Sequence, residues 1–358
     1  MLSAALLSAL LLSASAHAEP GPCPGCTAVF YAGLNGSACF RIPSIIKTHT
    51  GTLLAFAENR MSDCGDNGKH HALVLRRSSD NGKTWSAMST VVEGTVPCPG
   101  CPAAISNPNP VEVTLADGKT KAVLLHYDTM NNPHGANHGL DRQIWSFDDG
   151  RSWTHDEQIY YPPQKNVGGL VGPSVGLQAA DGTIYFSTRG AGAVEGTGGW
   201  LYWSADFGKT WTSSKATVGA ASECSIAFKR SAADGTIIMN CRTSTHNRAQ
   251  LEWAANGTLL KPAVYPKELI DPGCQGSLIN QMGVLHTSNA NTTTGRTHVT
   301  VKSSTNQGET WNQGALVRKG PLGYSQLVSL GDPKTVGILL EAGRKSTYET
   351  ISFAVVTL

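Results

Sequence analysis

Two arginines stand in the kind of chain that forms buried strands, Arg41 in CFRIPSI and Arg242 in IIMNCRT, and a third, Arg296 in NANTTTGRTHV, is chosen for its position shortly before the polar turn STNQGETW at 304. A guanidinium bonds a carboxylate through two parallel donors, whereas lysine offers only a point charge, so three arginines brought to one place would clamp an acidic ligand. Such a cluster needs counter-charge, and Glu341 is the candidate partner of Arg41. Glu223 and Arg242 flank one expected hairpin, SECSIAFKRSAADGTIIMNCRT, whose Ala-Asp-Gly-Thr turn brings the ends together. Their neighbours Cys224 and Cys241 then share the opposite face and are placed to form a disulfide. The segment MSDCGDNGKHH offers two carboxylates, Asp63 and Asp66, and Arg60 just before it is placed to orient one of them.

Metal-ligand spacings also occur. Cys-Pro-Gly-Cys stands at 23–26 and again at 98–101, which reads as two close disulfides in an oxidising compartment, with a four-thiolate zinc site as the alternative. The nine cysteines leave at least one without an intrachain partner. His134 and His138 have a metal-like separation, but the Gly, Pro and Asn around them argue against a helix that presents both, so they read as a surface loop. No metal and no organic cofactor is expected.

The chain of 358 residues has a net charge of +2 and only 15% charged residues, with no basic stripe for nucleic acid and no polybasic face for lipid. Selectivity must therefore reside in a local site. Residues 1–18, MLSAALLSALLLSASAHA, read as a secretory signal peptide, leaving 19–358 as one secreted or lumenal domain. No second apolar run approaches the roughly 20 residues that a membrane span requires. Asn35, Asn256 and Asn291 head glycan-acceptor tripeptides that suit a secreted surface.

The elements that must position the arginines are announced by a repeat. SSDNGKTW starts at 78, SFDDGRSW at 146, SADFGKTW at 204 and STNQGETW at 304. β-rich runs precede every copy, and the polar Asp-x-Gly centre of the first three, Asn-Gln-Gly in the fourth, tolerates left-handed backbone while its side chains bond the turn's own amides. Each copy is expected to be a hairpin turn with its tryptophan packed beneath. At one four-stranded sheet per roughly 50–60 residues, the last gap holds two sheets, the unmarked one turning at Asn256-Gly257. Sheets that cannot bury both faces alone close into a ring. The expected fold is all-β, a six-bladed β-propeller of four-stranded antiparallel sheets, with the repeats as rim staples remote from the site.

The four Asp-box motifs together with Arg-Ile-Pro at 41–43 resemble the sialidase (neuraminidase) superfamily, and AENR at 57–60, SEC at 222–224, GCQGS at 273–277, GYS at 323–325 and LEA at 340–342 extend the likeness. The resemblance implies that Arg41, Arg242 and Arg296 bind the C1 carboxylate of a sialic acid. It implies Tyr324 as nucleophile, Glu223 as the base for its phenol, and Asp66 as acid/base in preference to Asp63. Asn107 and Gln275 match positions that line the family's pocket, whereas YFSTRGAGAVEG at 185–196 lacks the tyrosine pair of animal relatives. A neutral nucleophile suits an anomeric carbon that already bears a carboxylate, and sialidases with a tyrosine nucleophile are a known exception to two-carboxylate glycosidases.

The expected activity is that of a retaining exo-α-sialidase acting on sialylated glycoproteins, glycolipids or oligosaccharides. Alternatives are a hydrolase of deaminated sialic acid, a trans-sialidase, and a non-catalytic sialic-acid-binding propeller.

Overall fold

The computed structural model describes residues 22–66, 70–94, 104–130, 140–160, 171–188, 198–214 and 221–358. The expected signal peptide, the Cys98–Cys101 pair and the His134/His138 loop lie outside them, as does most of 185–196. Among the described residues no helix is long and apolar enough to cross a membrane.

Nearly all regular structure is β. Four separate four-stranded antiparallel sheets are built from the strands within 177–213, within 221–264, within 277–318, and from three C-terminal strands plus one from the start of the chain. In the last of these, Thr27–Tyr31 pairs with Thr350–Thr357, so the two ends of the described chain share one sheet. The expectation of six blades is corrected here. Strands between Cys39 and Gln158 form a single eight-stranded sheet, because a parallel bridge between His71 and Ala104 carries the hydrogen bonding across the expected blade junction. The arrangement is thus four small propeller blades and one double-length sheet.

Apolar side chains fill the space between facing sheets. Val111, Leu124 and Trp145 meet Phe186, Tyr202 and Trp211; Tyr185 and Leu201 meet Ile226, Met239 and Trp253. The first and last sheets join through Phe40, Ile45, Leu339 and Phe353. Such alternation, one apolar face meeting the next, is what short β-rich runs without helical periodicity can bury. Where the innermost strands crowd together, hydroxyls replace hydrocarbon. Ser44 donates to the Ser174 carbonyl (3.1 Å), Ser174 to the Ser225 hydroxyl (3.1 Å), and the Ser225 hydroxyl accepts from the Leu278 amide (3.0 Å). Small polar side chains let backbones approach while each buried polar group keeps a partner.

All four Asp-box copies link the last two strands of a four-strand run, as expected of hairpins. In the first, Thr84 donates its amide (2.9 Å) and its hydroxyl (2.6 Å) to Asp80, while the Gly82 amide bonds Ser78 (2.8 Å). Asn81 and Gly82 take left-handed φ of 56° and 85°. The third and fourth turns also reach the preceding sheet: Gln143 donates to the Gly208 carbonyl and Gln250 to that of Gly308, both at 2.8 Å, while accepting from Trp211 and Trp311. These copies clip neighbouring sheets together. The unmarked sheet turns at Asn256-Gly257, between Ala249–Trp253 and Leu259–Val264.

Candidate functional site

At one end of the inner strands the antiparallel register breaks in a recurring way. Bulges fall between Arg41 and Ser44, Ser106 and Asn109, Ser222 and Cys224, and Leu322 and Ser325. Three of the four contain a non-glycine residue with left-handed backbone: Ile42 (φ 57°), Asn107 (φ 54°) and Glu223 (φ 45°). For a β-branched residue such as Ile42 this conformation is strained and must be held from outside. Bulges re-aim side chains, and here they carry Arg41, Asn107, Glu223 and Tyr324.

Buried carboxylates hold the bulges. Glu341, fully buried, accepts from Arg41 Nε (2.8 Å) and the Ile42 amide (2.9 Å) on Oε1, and from the Tyr324 amide (2.8 Å) on Oε2. Gly323 is required there, since a Cβ on it would collide with Glu341 Oε2. Glu58 acts likewise on a neighbouring strand. It accepts from Arg60 Nε (2.9 Å) and Nη2 (2.6 Å), from Ser106 (2.5 Å) and from the Asn107 amide (2.9 Å). Burial alone would push the Glu58 carboxyl upward; Arg60 and the donors from Ser106 and Asn107 outweigh it and hold the group below the usual carboxylate range. Although burial disfavours the charge on Arg41, Glu341 keeps it firmly protonated.

Tyr324 lies at the centre. Its hydroxyl donates to Glu223 Oε1, and Arg242 Nη1 contacts both Glu223 Oε2 (2.6 Å) and the Tyr324 hydroxyl (3.3 Å). The guanidinium carbons of Arg41 and Arg296 sit 5.1 and 5.7 Å from the Tyr324 ring centroid. The three arginines come from three different parts of the ring of sheets and surround one phenol. Burial and the Glu223 carboxylate drive the phenol's pKa well above its ordinary value of 10, against a smaller opposing effect of Arg242, so it is neutral until a base takes its proton. Beneath the ring, Cys274 is a buried free thiol packed with Ile42 and Tyr324; burial pushes it up to about 12, so it is inert.

Asp66 approaches from the side. Its Oδ1 accepts from Arg60 Nη1 (2.8 Å) and Arg41 Nη1 (3.2 Å), and its side chain remains 63% exposed. Burial raises its pKa, but Arg60 and Arg41 more than offset that and hold the carboxyl below its usual range. Asp63 instead accepts from the Gly65 amide (2.6 Å), which closes a local turn. The arginines thus meet Asp66 rather than Asp63.

Asn107 and Gln275 are both buried. Asn107 bonds Asp128 (3.1 Å) through Nδ2, and Gln275 accepts the Ser325 amide (2.9 Å), steadying the strand next to Tyr324. The disulfide between Cys224 and Cys241 forms, bracing the hairpin that carries Glu223 and Arg242. Cys23 and Cys26 are joined as well, which removes two of the four thiols from the zinc alternative. The group of ion-binding donors found among the described residues, His49, Glu112 and Asp149, is at the Asp-box end and not here.

Three features of the site are not foreseen from the sequence. Tyr348 stacks under Arg41, 4.1 Å from its guanidinium carbon, and its hydroxyl accepts from Arg296 (3.4 Å). Glu58 is the second, although its place two residues before Arg60 on one strand puts both on one face, a period-two signal that could have found it. Cys39 and Cys64 form a disulfide that no spacing rule announces.

The BNR repeat-like domain family matches residues 103–338. A sialidase of Bacteroides fragilis is 30% identical over 345 residues, covering 88% of this chain and 62% of that protein. A sialidase of Micromonospora viridifaciens is 26% identical over 359 residues, covering 90% and 53%. This chain therefore spans less than two thirds of the length of either relative. Among solved structures, the Hadza microbial sialidase Hz136 superposes with a TM-score of 0.78 over 93% of this chain and 68% of that one; at 24% identity, that likeness speaks for the fold.

Proposed function

This chain belongs to the sialidase superfamily, and from that premise we propose that it is a secreted or lumenal exo-α-sialidase that releases terminal sialic acid from glycoconjugates with retention of configuration. The observation that carries the proposal is the convergence of Arg41, Arg242 and Arg296 on Tyr324, with its hydroxyl bonded to Glu223. In this reading the arginines bind the substrate's carboxylate, which brings the anomeric carbon over the phenol. Tyr324 Oη attacks that carbon as its proton passes to Glu223, while Asp66 protonates the departing glycosidic oxygen. A water then attacks the glycosyl-tyrosine with Asp66 as base, and the phenol recovers its proton from Glu223.

The depressed pKa of Asp66 fits this cycle only if substrate changes it. In the free protein two guanidiniums keep Asp66 ionised. A bound carboxylate adds a negative charge beside Arg41, weakens the bias of that cluster toward ionised Asp66, and so raises its pKa toward that of a competent acid.

The test is release of 4-methylumbelliferone from its α-sialoside, in parallel with the deaminated analogue. Turnover of the N-acetyl sugar with an α-anomer as first product supports the proposal. No turnover of either substrate, with sialic acid still bound, would instead support a binding propeller.

A further inference from the structure

Asp66 has to place one oxygen beside a leaving group, and Arg60 and Arg41 hold its Oδ1 in the free protein. Its segment joins Leu53–Arg60 to His71–Ser78, and the base is closed by the Met61 amide on the His70 carbonyl (3.2 Å). The carboxylate is mostly exposed although its arginine partners are buried, so the backbone that carries it must also be held if that oxygen is to keep its place. Among the described residues of the segment, Cys64 adds a covalent tie. Cys64, two residues before Asp66, is bonded to Cys39, which is fully buried and lies two residues before Arg41 on the strand Cys39–Lys47. Arg60 Nη1 also donates to the Cys64 carbonyl (2.7 Å) and with the same atom to Asp66 Oδ1 (2.8 Å). The crosslink therefore joins the strand that bears the carboxylate-binding Arg41 to the segment that bears the proton donor.

We propose that the Cys39–Cys64 disulfide is a positioning device for Asp66, setting the distance between the proton donor and the substrate anchored on Arg41. The proposal rests on the reading of Asp66 as acid/base. Cys39 and Cys64 touch no substrate; they act through the placement of Asp66. Proton donation is worth most when the leaving group is a poor one such as a sugar alkoxide, and little when it is a phenolate. Losing the crosslink should accordingly penalise natural glycosides selectively, because a donor misplaced by an ångström forfeits much of its advantage. A disulfide that only stabilised the fold would lower both rates alike through the folded fraction, and neither rate per folded molecule.

The experiment compares the wild type, Asp66→Ala and the double variant Cys39→Ser/Cys64→Ser on sialyllactose and on the 4-methylumbelliferyl sialoside, at equal folded concentration. The double variant should lose about tenfold or more in kcat/KM on sialyllactose and less than about threefold on the aryl substrate. If Asp66→Ala itself shows no such selectivity, the acid assignment fails. If Asp66→Ala is selective and the double variant is not, the positioning role is overturned. Should the double variant not fold, folded wild type is titrated with a phosphine and each disulfide followed by peptide mapping. Selective loss on sialyllactose that tracks Cys39–Cys64, and not Cys23–Cys26 or Cys224–Cys241, is the expected result; equal loss on both substrates contradicts it.

Discussion

The two ends of the inner sheets use acidic residues for opposite purposes. In the Asp-box turns, Asp80, Asp148 and Asp206 accept hydrogen bonds from residues three or four positions on, such as Thr84, Ser152 and Thr210. At the Tyr324 end, Glu341, Glu58 and Glu223 bind arginines and bulge amides, and most of those partners are remote in sequence: Arg41 and Glu341 are 300 residues apart and Tyr324 and Glu223 are 101 apart. Asp80, Asp148 and Asp206 at one end and Glu58 at the other are all held ionised, yet a turn carboxylate serves its own loop, whereas a site carboxylate orients charge from other strands. A local pattern makes a structural staple. A distributed one makes a site.

That difference can be broken by substitution. Arg242→Lys replaces a planar fork by a point charge and should lower kcat/KM by about 100-fold or more while the melting temperature moves little. Near-normal kinetics would take Arg242 out of the site. Next in size, Tyr348→Phe keeps the ring beneath Arg41 but removes the acceptor from Arg296. It should cost about fivefold to tenfold in kcat/KM, the scale of one hydrogen bond, and an unchanged value would make Tyr348 a packing residue only.

At the other end the effect should fall on stability. Asp148→Ala removes acceptors for the amides of Arg151 and Ser152 and should cost roughly 1–2 kcal/mol, with activity per folded molecule intact. Asp148→Asn should cost less, because Asn306 already serves the fourth turn, accepting the Thr310 amide (3.0 Å) and donating to its hydroxyl (2.9 Å). Activity loss at unchanged melting temperature in either variant would contradict the staple role.

The smallest expected effect is a pH dependence. Glu58 has a folded pKa below its unfolded value near 4.5, so its contribution is complete above about pH 4.5 and fades as pH falls through the folded value. Glu58→Gln should flatten that region of the profile of melting temperature against pH, and an unaltered acid limb would assign it to other carboxylates.

The same contrast explains what could be read from the sequence. The Asp boxes were legible because donors and acceptors lie within one eight-residue window, and Gly82 or Gly150 marks the left-handed step. The hairpin bearing Glu223 and Arg242, with Cys224 facing Cys241, was legible because a turn and two spacings define it. Tyr324, the choice of Asp66 over Asp63 and the role of Arg41 needed the family resemblance, since no local rule links residues that meet only around a ring of sheets. Tyr348 and the Cys39–Cys64 bond escaped because their partners are fixed by tertiary placement. The blade count failed for a related reason: one parallel bridge between His71 and Ala104 merges sheets, and nothing in either residue announces it.

The most direct test of the account is to trap what Tyr324 does. A sialic acid fluorinated at C3 with fluoride leaving from C2 should form the glycosyl-enzyme readily and release it slowly, since the C3 fluorine destabilises the oxocarbenium-like transition state of both steps while the leaving group rescues only the first. Intact mass spectrometry should then show one added sugar, peptide mapping should place it on Tyr324, and Tyr324→Phe should abolish it. Label on Asp66 or Glu223, or no label together with an inverted product from ordinary substrate, would contradict the central claim that the arginine-ringed phenol is the nucleophile.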